Sequence, residues 1–386
     1  MSKQFFKKSS ISANLLYRDI GKKPERPFII KAVLKETSLG DLASILTCLA
    51  TVKNQFDYAE LHVRYRNIRP YSEEMISLVP EIDTALGFKG YLPKWARLGI
   101  PDWRLWQQMS QAIDGNKGSW SSFCDFLVCD WMMNPRWLHA MPNPAPLQIP
   151  KDKVDALTAD LTQLGLDPNR WFAAVHYRAS TYLSKKSGQL RNSKPDEIEK
   201  MCSHIIDSLG GQVVLLGHPE LEAFEPREGL VDLSRYKDNF LQQAMAISRC
   251  RFMMGGPSGP VGVAWSFQVP TAIVDASDCF GGWMREENVT LSHEVTTPDG
   301  RVLRNRELYE AGLMDYPVLR DKIRAGEDYR VRKNSADELI AVANHMHEVT
   351  KDTGAWREPA TPYAGERPNT FTWPPQTYEN VKFLDV

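Results

Sequence analysis

The sequence predicts an α/β protein of two successive domains, each built on a parallel sheet, and three observations carry this prediction. The chain has 386 residues, which is long for one hydrophobic core and favours two domains. Strand-like and helix-like segments alternate in both halves, as in parallel sheets covered by helices. Residues 141–150 include four prolines and are typical of a linker. We therefore expect an N-terminal domain over 1–145 and a C-terminal domain over 151–350.

The first domain begins with a strand, a helix and a second strand. Residues 28–35 form a mostly apolar run typical of a buried strand, and residues 42–55 carry apolar side chains at helical spacing. Residues 58–64 form the next strand. The turn over 36–41 lies at the carboxyl end of the first strand and contains Gly40 and Asp41. We expect this βαβ unit to place Asp41 at the ligand-binding edge of the sheet.

The second domain repeats the alternation of strands and helices. Strands are predicted over 171–178, 212–217, 250–254 and 271–275, and helices over 151–164, 195–209, 239–248 and 260–267. The order predicts a parallel sheet whose ligand lies at the carboxyl ends of the strands.

The segment from Cys250 to Trp265 is the most informative stretch of the chain. An apolar strand runs into a turn that contains Gly256, Ser258 and Gly259, and a helix of small residues follows. Backbone N–H groups of such a turn converge on one point, and the positive end of the helix dipole lies there. The segment predicts a phosphate site, although a tight turn that packs a helix closely on the sheet would explain the same pattern.

Composition excludes several classes of partner. Lysine and arginine number 47 against 48 acidic residues, a net charge of -1, so neither a nucleic acid nor a membrane surface is an expected partner. No apolar run is long enough to cross a bilayer. We expect a soluble, cytoplasmic protein in which the six cysteines are reduced. No Cys-x-x-Cys or Asp-x-Asp pair occurs, so neither a metal nor another cofactor is expected.

Four segments carry a resemblance to a known class of enzymes: residues 175–178 (Val-His-Tyr-Arg), 210–219, 255–260 and 331–339. With them, the chain resembles bacterial glycosyltransferases of the two-Rossmann-domain (GT-B) class, and in particular a bacterial family of unassigned specificity. The likeness covers about residues 170–350 well and the N-terminal half loosely. It implies two Rossmann-like domains that face a central cleft, with the tail over 351–386 packed back on the first domain.

Two shorter motifs extend the resemblance to named transferases. Residues 39–41 (Leu-Gly-Asp) are similar to the Gly-Asp loop of heptosyltransferases, and His176-x-Arg178 is similar to the His-x-Arg motif of fucosyltransferases. Fucosyltransferases usually have a second arginine directly after the first, whereas this chain has Ala179. The motif therefore does not indicate GDP-fucose as the donor.

The candidate donor-binding residues lie after the predicted strands of the second domain. They are His176, Arg178, Arg191, Asn192, Gly217, His218, Gly256, Ser258 and Gly259. The Arg178 guanidinium is suited to pair with the β-phosphate of a donor and so to assist departure of the nucleoside diphosphate, or else to form an interdomain salt bridge. His176 has two equally simple roles, as a donor to phosphate and as a packing residue. Arg191 and Asn192 end a basic loop that either closes over the diphosphate or is a solvated surface loop.

Asp41 is the candidate general base that deprotonates the acceptor hydroxyl. The alternative role is N-cap of the following helix, in which case Glu36 or Asp83 would supply the base. Three functions are compatible with the sequence. They are transfer of a sugar from a nucleoside diphosphate to a glycan, lipid-linked saccharide or protein; pyruvyl transfer to a sugar from phosphoenolpyruvate; and non-catalytic binding of a nucleotide or glycan.

Overall fold

The structure is a computed structural model that describes residues 27–34, 38–56, 58–89, 126–129, 144–178, 189–278, 285–361, 382, 384 and 386. The chain folds into two compact units. The first comprises Met1–Leu147 with Thr361–Gln376, and the second comprises Gln148–Ala360 with Thr377–Val386. The division falls inside the proline-rich segment over 141–150.

The first unit contains a four-stranded parallel sheet. Its elements are β1 (Phe28–Leu34), α1 (Leu39–Lys53), β2 (Ala59–Arg66), α2 (Ser72–Ser77), β3 (Thr84–Phe88) and β4 (Phe126–Cys129). The strand order is β3-β2-β1-β4, and each neighbouring pair is parallel. The predicted βαβ unit is therefore present as β1-α1-β2. Helix α1 begins at Leu39, three residues earlier than expected, because Ser38 already has the extended backbone of an N-cap residue.

The proline-rich segment is not a free linker along its described part. Ala145 and Leu147 are buried, and the Ala145 N–H donates to the Thr51 hydroxyl at 2.8 Å. Residues 144–147 therefore pack on α1, and the two units separate only after Leu147.

The second unit contains a six-stranded parallel sheet. Its elements up to β10 are α3 (Val154–Gln163), β5 (Phe172–His176), α4 (Pro195–Asp207), β6 (Gln212–Leu216), β7 (Leu230–Asp232), α5 (Phe240–Arg249), β8 (Phe252–Gly255), α6 (Gly259–Ser266), β9 (Thr271–Ala276) and β10 (Val289–Ser292). Helices connect β5 to β6, β7 to β8 and β8 to β9. Every residue of β5, β6, β8 and β9 is buried, as expected of strands with helices on both faces.

Helix α4 shows why these segments fold as they do. Its buried residues Ile198, Met201, Cys202 and Ile205 recur every three or four positions, so they form one apolar face that packs on the sheet. Pro195 occupies the first turn, where its missing N–H leaves no hydrogen bond unmade.

The strand order of the sheet is β10-β9-β8-β5-β6-β7, and the direction in which the chain adds strands changes at the β5–β8 pair. From β5 the chain first adds β6 and β7 on one side, then returns through α5 and adds β8, β9 and β10 on the other. Connections that leave neighbouring strands in opposite directions open a crevice at the carboxyl ends of those strands. In this unit the crevice lies after His176 of β5 and Gly255 of β8.

A smaller layer that the sequence did not predict follows the main sheet. It comprises β11 (Glu294–Thr296), β12 (Val302–Leu303), α7 (Asn305–Glu310), α8 (Tyr316–Arg324), β13 (Arg330–Arg332) and α9 (Ala336–Val349). The three strands pair antiparallel in the order β12-β11-β13. A capping box formed by Ser335 and Glu338 starts α9.

The described parts of the tail contact the second unit, whereas Thr361–Gln376 is grouped with the first unit; the expectation that 351–386 packs on the first domain stays a prediction. The Trp356 ring meets the Phe172 ring edge-on at 5.6 Å, and the Arg357 guanidinium donates to the Gln268 carbonyl at 2.8 Å. Further on, the Thr290 N–H of β10 donates to the Lys382 carbonyl at 2.9 Å, and the Leu384 N–H donates to the Thr290 carbonyl at 3.0 Å. Residues 362–381 lie outside the described part of the chain.

Within the described residues, no helix combines the length and the apolar character that a membrane crossing requires.

Candidate functional site

The candidate site lies where the sheet order of the second unit reverses. His176 ends β5 and Gly255 ends β8, and the two residues are direct neighbours in the parallel ladder. A side chain on Gly255 would place its Cβ 2.9 Å from the His176 carbonyl oxygen. Because a backbone carbonyl cannot move aside as a flexible side chain can, only glycine fits where β8 turns away from β5.

Ser258 is the N-cap residue of α6, yet its side chain does not cap the helix. The hydroxyl instead forms a hydrogen bond of 2.8 Å with His176 Nδ1. The first N–H groups of a helix have no acceptor within the helix, and in α6 the second position is Pro260, which has no N–H. The N–H groups of Gly259 and Val261 therefore remain directed out of the helix end, where the helix dipole favours an anion.

His176 is neutral in this environment. Burial, then the nearby His218 and then the Arg178 charge lower the pKa of His176 to about 3. His176 thus contributes hydrogen bonding rather than positive charge. Arg178 is one source of positive charge near the site; it follows β5 by two residues and is only 9% exposed.

A serine–histidine pair after a strand also occurs in hydrolases, where the serine is a nucleophile on a strained turn. Ser258 has an unstrained extended backbone, with φ -154° and ψ 169°. A histidine whose pKa is lowered to about 3 is a poor base for activating a hydroxyl at neutral pH. The pair therefore serves to hold the turn rather than to attack a substrate.

A short segment, Gln189–Ser193, crosses the carboxyl edge of the sheet beside this turn, and we call it the strap. Arg191 donates from Nε at 3.0 Å and from Nη2 at 2.6 Å to the Pro257 carbonyl. The Ser193 N–H donates to the Arg178 carbonyl at 3.2 Å. The strap therefore joins the end of β5 to the turn after β8.

Arg191 contacts the backbone of the turn. The sequence left two roles open for the loop that it ends, a flap over the diphosphate and a solvated surface loop. Here two guanidinium nitrogens of Arg191 bond the Pro257 carbonyl, and its role in donor binding stays a prediction. Asn192 lies next to it, and its Oδ1 is buried without a hydrogen-bond partner within the described residues. Residues 179–188 of the basic loop lie outside the described part of the chain.

Gly217 has a structural role that the sequence did not indicate. Gln243 of α5 accepts from its N–H at 3.0 Å and donates to its carbonyl at 2.9 Å, so both backbone groups are paired within the protein; the role of Gly217 in donor binding stays a prediction. Its φ of +152° and a Cβ position 2.1 Å from Leu221 Cδ1 require glycine. His218, the next residue, lies close enough to His176 to lower its pKa.

A buried polar cluster at the ends of β9 and β10 was missed by sequence reasoning. The Asp275 N–H donates to Asn334 Oδ1 at 2.6 Å, and the Asn334 N–H donates to Asp275 Oδ1 at 2.7 Å. Lys333 Nζ donates to the Leu190 carbonyl of the strap at 2.5 Å. His293 is fully buried and lies close enough to the Leu190 backbone of the strap for that group to act on its pKa.

The electrostatics of the cluster follow from burial. Burial lowers the pKa of Lys333 to about 8, against the opposing effect of the Asp275 carboxylate. Burial raises the pKa of Asp275, while Lys333 and the Asn334 N–H oppose the rise. Burial, and then the Lys333 charge, lower the pKa of His293 to about 3. The only sequence signal was that Asp275 ends a predicted strand and that Lys333 lies in one of the segments that carry the family resemblance.

Asp41 lies in the first unit, at the carboxyl side of β1. It is exposed and occupies the first turn of α1, whose N-cap is Ser38. The alternative that Asp41 itself caps the helix is therefore wrong, because the helix starts two residues before it. Its role as the general base stays a prediction, and Glu36 lies outside the described residues.

Among the residues that the structure describes, no group of three or more histidine, cysteine, aspartate or glutamate side chains is arranged to hold a metal ion.

No family model and no curated protein sequence matches the chain, but solved structures do. A glycosyl transferase of family 9 from Veillonella parvula is similar over 84% of this chain and 99% of its own length, at 12% identity and a TM-score of 0.55. The E. coli ADP-heptose lipopolysaccharide heptosyltransferase II is similar over 63% of this chain and 83% of its own, at 14% identity and a TM-score of 0.41.

The first of these similarities confirms the fold class. This chain has two α/β units with parallel sheets, and its similarity to that structure is consistent with the two-Rossmann-domain (GT-B) fold class that the sequence predicted. At 12% identity the likeness establishes the fold and leaves the chemistry to the residues of the site.

Proposed function

We propose that the protein is a glycosyltransferase that moves a sugar from a nucleoside diphosphate to a hydroxyl group. One observation carries the proposal. At the point where the sheet order reverses, the Ser258 hydroxyl bonds His176 instead of capping α6, so the end of the helix is left for an anion. A diphosphate is the anion that such a crevice commonly binds.

The fold supports the same proposal. The Veillonella parvula structure that shares it is named a glycosyl transferase. The fold alone hosts many functions, so the support comes from its combination with a strand-end arginine and an uncapped helix at the reversal point.

The chemistry assigned to these residues is charge stabilisation. The acceptor oxygen forms a bond to the anomeric carbon while the bond from that carbon to the phosphate oxygen breaks, and the nucleoside diphosphate leaves with the electron pair. Negative charge grows on the leaving group, where Arg178 and the N–H groups of Gly259 and Val261 stabilise it. These groups need no divalent ion, and the chain contains no Asp-x-Asp pair; we therefore propose metal-independent transfer.

The proton of the acceptor hydroxyl passes to a base, for which we propose Asp41 of the first unit. The acceptor class is a glycan, a lipid-linked saccharide or a protein. We place the protein in the cytoplasm, since Cys48, Cys202 and Cys250 are unpaired buried thiols, as is usual in a reducing compartment.

A panel of nucleotide sugars tests the proposal directly. Slow hydrolysis of one UDP-, GDP-, ADP- or dTDP-sugar in EDTA, without added acceptor, is the expected result. Release of pyruvate or phosphate from phosphoenolpyruvate, with no response to any nucleotide sugar, would instead establish pyruvyl transfer. Binding of a nucleotide without turnover of any donor, with candidate acceptors added, would establish a non-catalytic role.

Substitution Arg178→Ala tests the donor site within this function. We expect a loss of about 1.5–3 kcal/mol in nucleoside diphosphate binding, the usual contribution of a charged hydrogen bond. Calorimetric titration measures it as a roughly tenfold to hundredfold rise in Kd.

Arg251→Ala is the matched control for Arg178→Ala. Arg251 is also buried, but it precedes β8 at the opposite edge of the sheet and donates to the Thr350 carbonyl at 2.8 Å. We expect this variant to lose stability while its nucleotide affinity stays unchanged. Equal affinity losses in both variants would show that Arg178 acts only through the fold.

A further inference from the structure

The turn after β8 does not hold its position by its own contacts alone. Arg191 of the strap donates twice to the Pro257 carbonyl, one residue before the N-cap of α6. Whatever fixes the strap therefore also fixes the helix end that we propose binds the diphosphate.

The strap has a second attachment on its other side. The Leu190 carbonyl accepts from Lys333 Nζ at 2.5 Å, and Leu190 is the direct neighbour of Arg191. Lys333 follows β13 and lies 143 residues further along the chain. The strap is thus held between the turn after β8 and the segment that leads into α9.

Lys333 is itself held in place by buried groups. Its neighbour Asn334 exchanges two short hydrogen bonds with Asp275 of β9, and the Asp275 carboxylate is the countercharge that opposes the effect of burial on Lys333. Asp275 has a φ of +48°, which is unusual for a residue other than glycine and is retained where surrounding structure enforces it.

We infer that Lys333 is a positioning residue for the donor site, which it serves through the strap. This inference rests on the proposed function for its ligand, a nucleoside diphosphate. Lys333 anchors the Leu190 carbonyl, the anchored strap presents Arg191 to the Pro257 carbonyl, and the turn keeps the end of α6 open.

Two variants separate this role from a general contribution to the fold. Lys333→Met combined with Asp275→Asn removes the buried charge pair together with the anchoring hydrogen bond, at similar side-chain volume. Asp275→Asn alone is the matched control, because it removes the same countercharge and the same carboxylate beside Ser193 of the strap, so that the two variants differ only in the Lys333 ammonium group. A difference between the double variant and Asp275→Asn therefore measures the effect of losing the hydrogen bond from Lys333 to the Leu190 carbonyl.

The first measurement is amide hydrogen exchange in the protein without ligand. Peptides that cover 189–194 and 255–259 are expected to exchange at least about tenfold faster in the double variant than in Asp275→Asn, because a local opening follows the loss of the anchor. Peptides from β5 and β6 are expected to exchange at the same rate in both variants. Equal exchange over 189–194 would overturn the inference.

The second measurement is the Kd for UDP, GDP, ADP and dTDP. For whichever nucleotide the unaltered protein binds, the double variant is expected to bind about tenfold more weakly than Asp275→Asn, the loss of one charged hydrogen bond. Faster exchange of the strap with unchanged Kd would overturn the positioning role. If the unaltered protein binds none of the four nucleotides, both the proposed function and the role of the strap in donor binding fail. If the unaltered protein binds a nucleotide but the strap exchanges at the same rate in both variants, only the positioning role of Lys333 is overturned.

Discussion

Ser258 has two possible uses at the start of α6, and the structure shows which one it takes. A serine at an N-cap usually accepts from the N–H two or three residues on, whereas Ser258 bonds His176 on the neighbouring strand. The helix loses a cap that typically contributes about 1 kcal/mol. In exchange the helix end stays accessible, and β5 and the turn after β8 are joined by a side-chain contact.

Asp41→Asn tests the proposed base at the same scale. A general base typically contributes about 10²–10⁴-fold to the rate, so we expect turnover to fall by that factor in EDTA-treated enzyme while donor affinity stays within error. Helix-end electrostatics alone would give a stability change of about 0.3–1 kcal/mol and normal turnover. Initial rates and calorimetric Kd distinguish the two results.

Glu73→Gln is the control for Asp41→Asn, since Glu73 is also a carboxylate in the first turn of a helix of the first unit. We expect its turnover to stay normal. If Asp41→Asn behaved in the same way, the base would have to lie elsewhere. Asp83 does not replace it, because it precedes β3 at the opposite edge of the sheet and is paired with Lys53 at 2.6 Å.

Within the turn that links β8 to α6, two adjacent glycines have different constraints. Gly255→Ala places a methyl group 2.9 Å from a backbone carbonyl, whereas Gly256→Ala meets the Ser193 hydroxyl at 3.4 Å, an ordinary contact. We expect Gly255→Ala to lower the free energy of unfolding by about 1–3 kcal/mol, the usual penalty for overpacking, and to weaken nucleotide binding because the turn shifts. Urea unfolding and Kd measurements check both effects.

Gly256→Ala serves as the control for that substitution, with an expected change in stability well below that of Gly255→Ala. If both variants unfolded at the same urea concentration as the unaltered protein, the close approach of β5 and β8 at His176 would not be a real constraint.

The elements that the sequence predicted best are those whose pattern is local. The strand and turn over 250–260 were predicted because an apolar run ends in Gly-Gly-Pro-Ser, and β8 and α6 have this layout. The start of α1 was placed at Leu42 instead of Leu39 because Gly40 and Asp41 resemble turn residues. Tertiary packing of the helix on β1 and β2 overrides such weak preferences.

The parts that escaped prediction depend on contacts between distant positions. The strands β11 and β13 are three residues long, too short for their alternation of polar and apolar residues to predict a strand, so only their pairing defines them. Lys333 meets Leu190 across 143 residues, and Asp275 meets Asn334 across 59. No periodicity within a single segment encodes such contacts.

Two buried histidines contribute to the loss of stability of the whole molecule in acid. Burial is the largest cause of a folded-state pKa of about 3 for both His176 and His293, against an ordinary value of 6.5. The folded protein therefore binds a proton at these sites less readily than the unfolded chain does. Their contribution to stability is fully present above about pH 6.5 and is lost progressively as the pH falls toward 3.

We expect the free energy of unfolding to fall by about 1.4 kcal/mol per pH unit for each histidine below pH 6. His293→Gln should lower the pH dependence of the free energy of unfolding by the contribution of one histidine. Urea unfolding at a series of pH values between about 4.5 and 7.5 measures this dependence. A slope that is the same in His293→Gln and in the unaltered protein would show that His293 takes up a proton in the folded state.

The hydrogen bonds between Thr290 and residues Lys382 and Leu384 have a consequence for how the protein is made. Strand β10 is an outer strand of the six-stranded sheet, and an outer strand offers unpaired N–H and C=O groups on which another chain can add. At Thr290, the N–H and C=O groups are hydrogen-bonded to the backbone of Lys382 and Leu384. During translation, the ribosome must therefore complete some 90 residues beyond β10 before this edge is protected, and a nascent chain released earlier would carry an open template for aggregation.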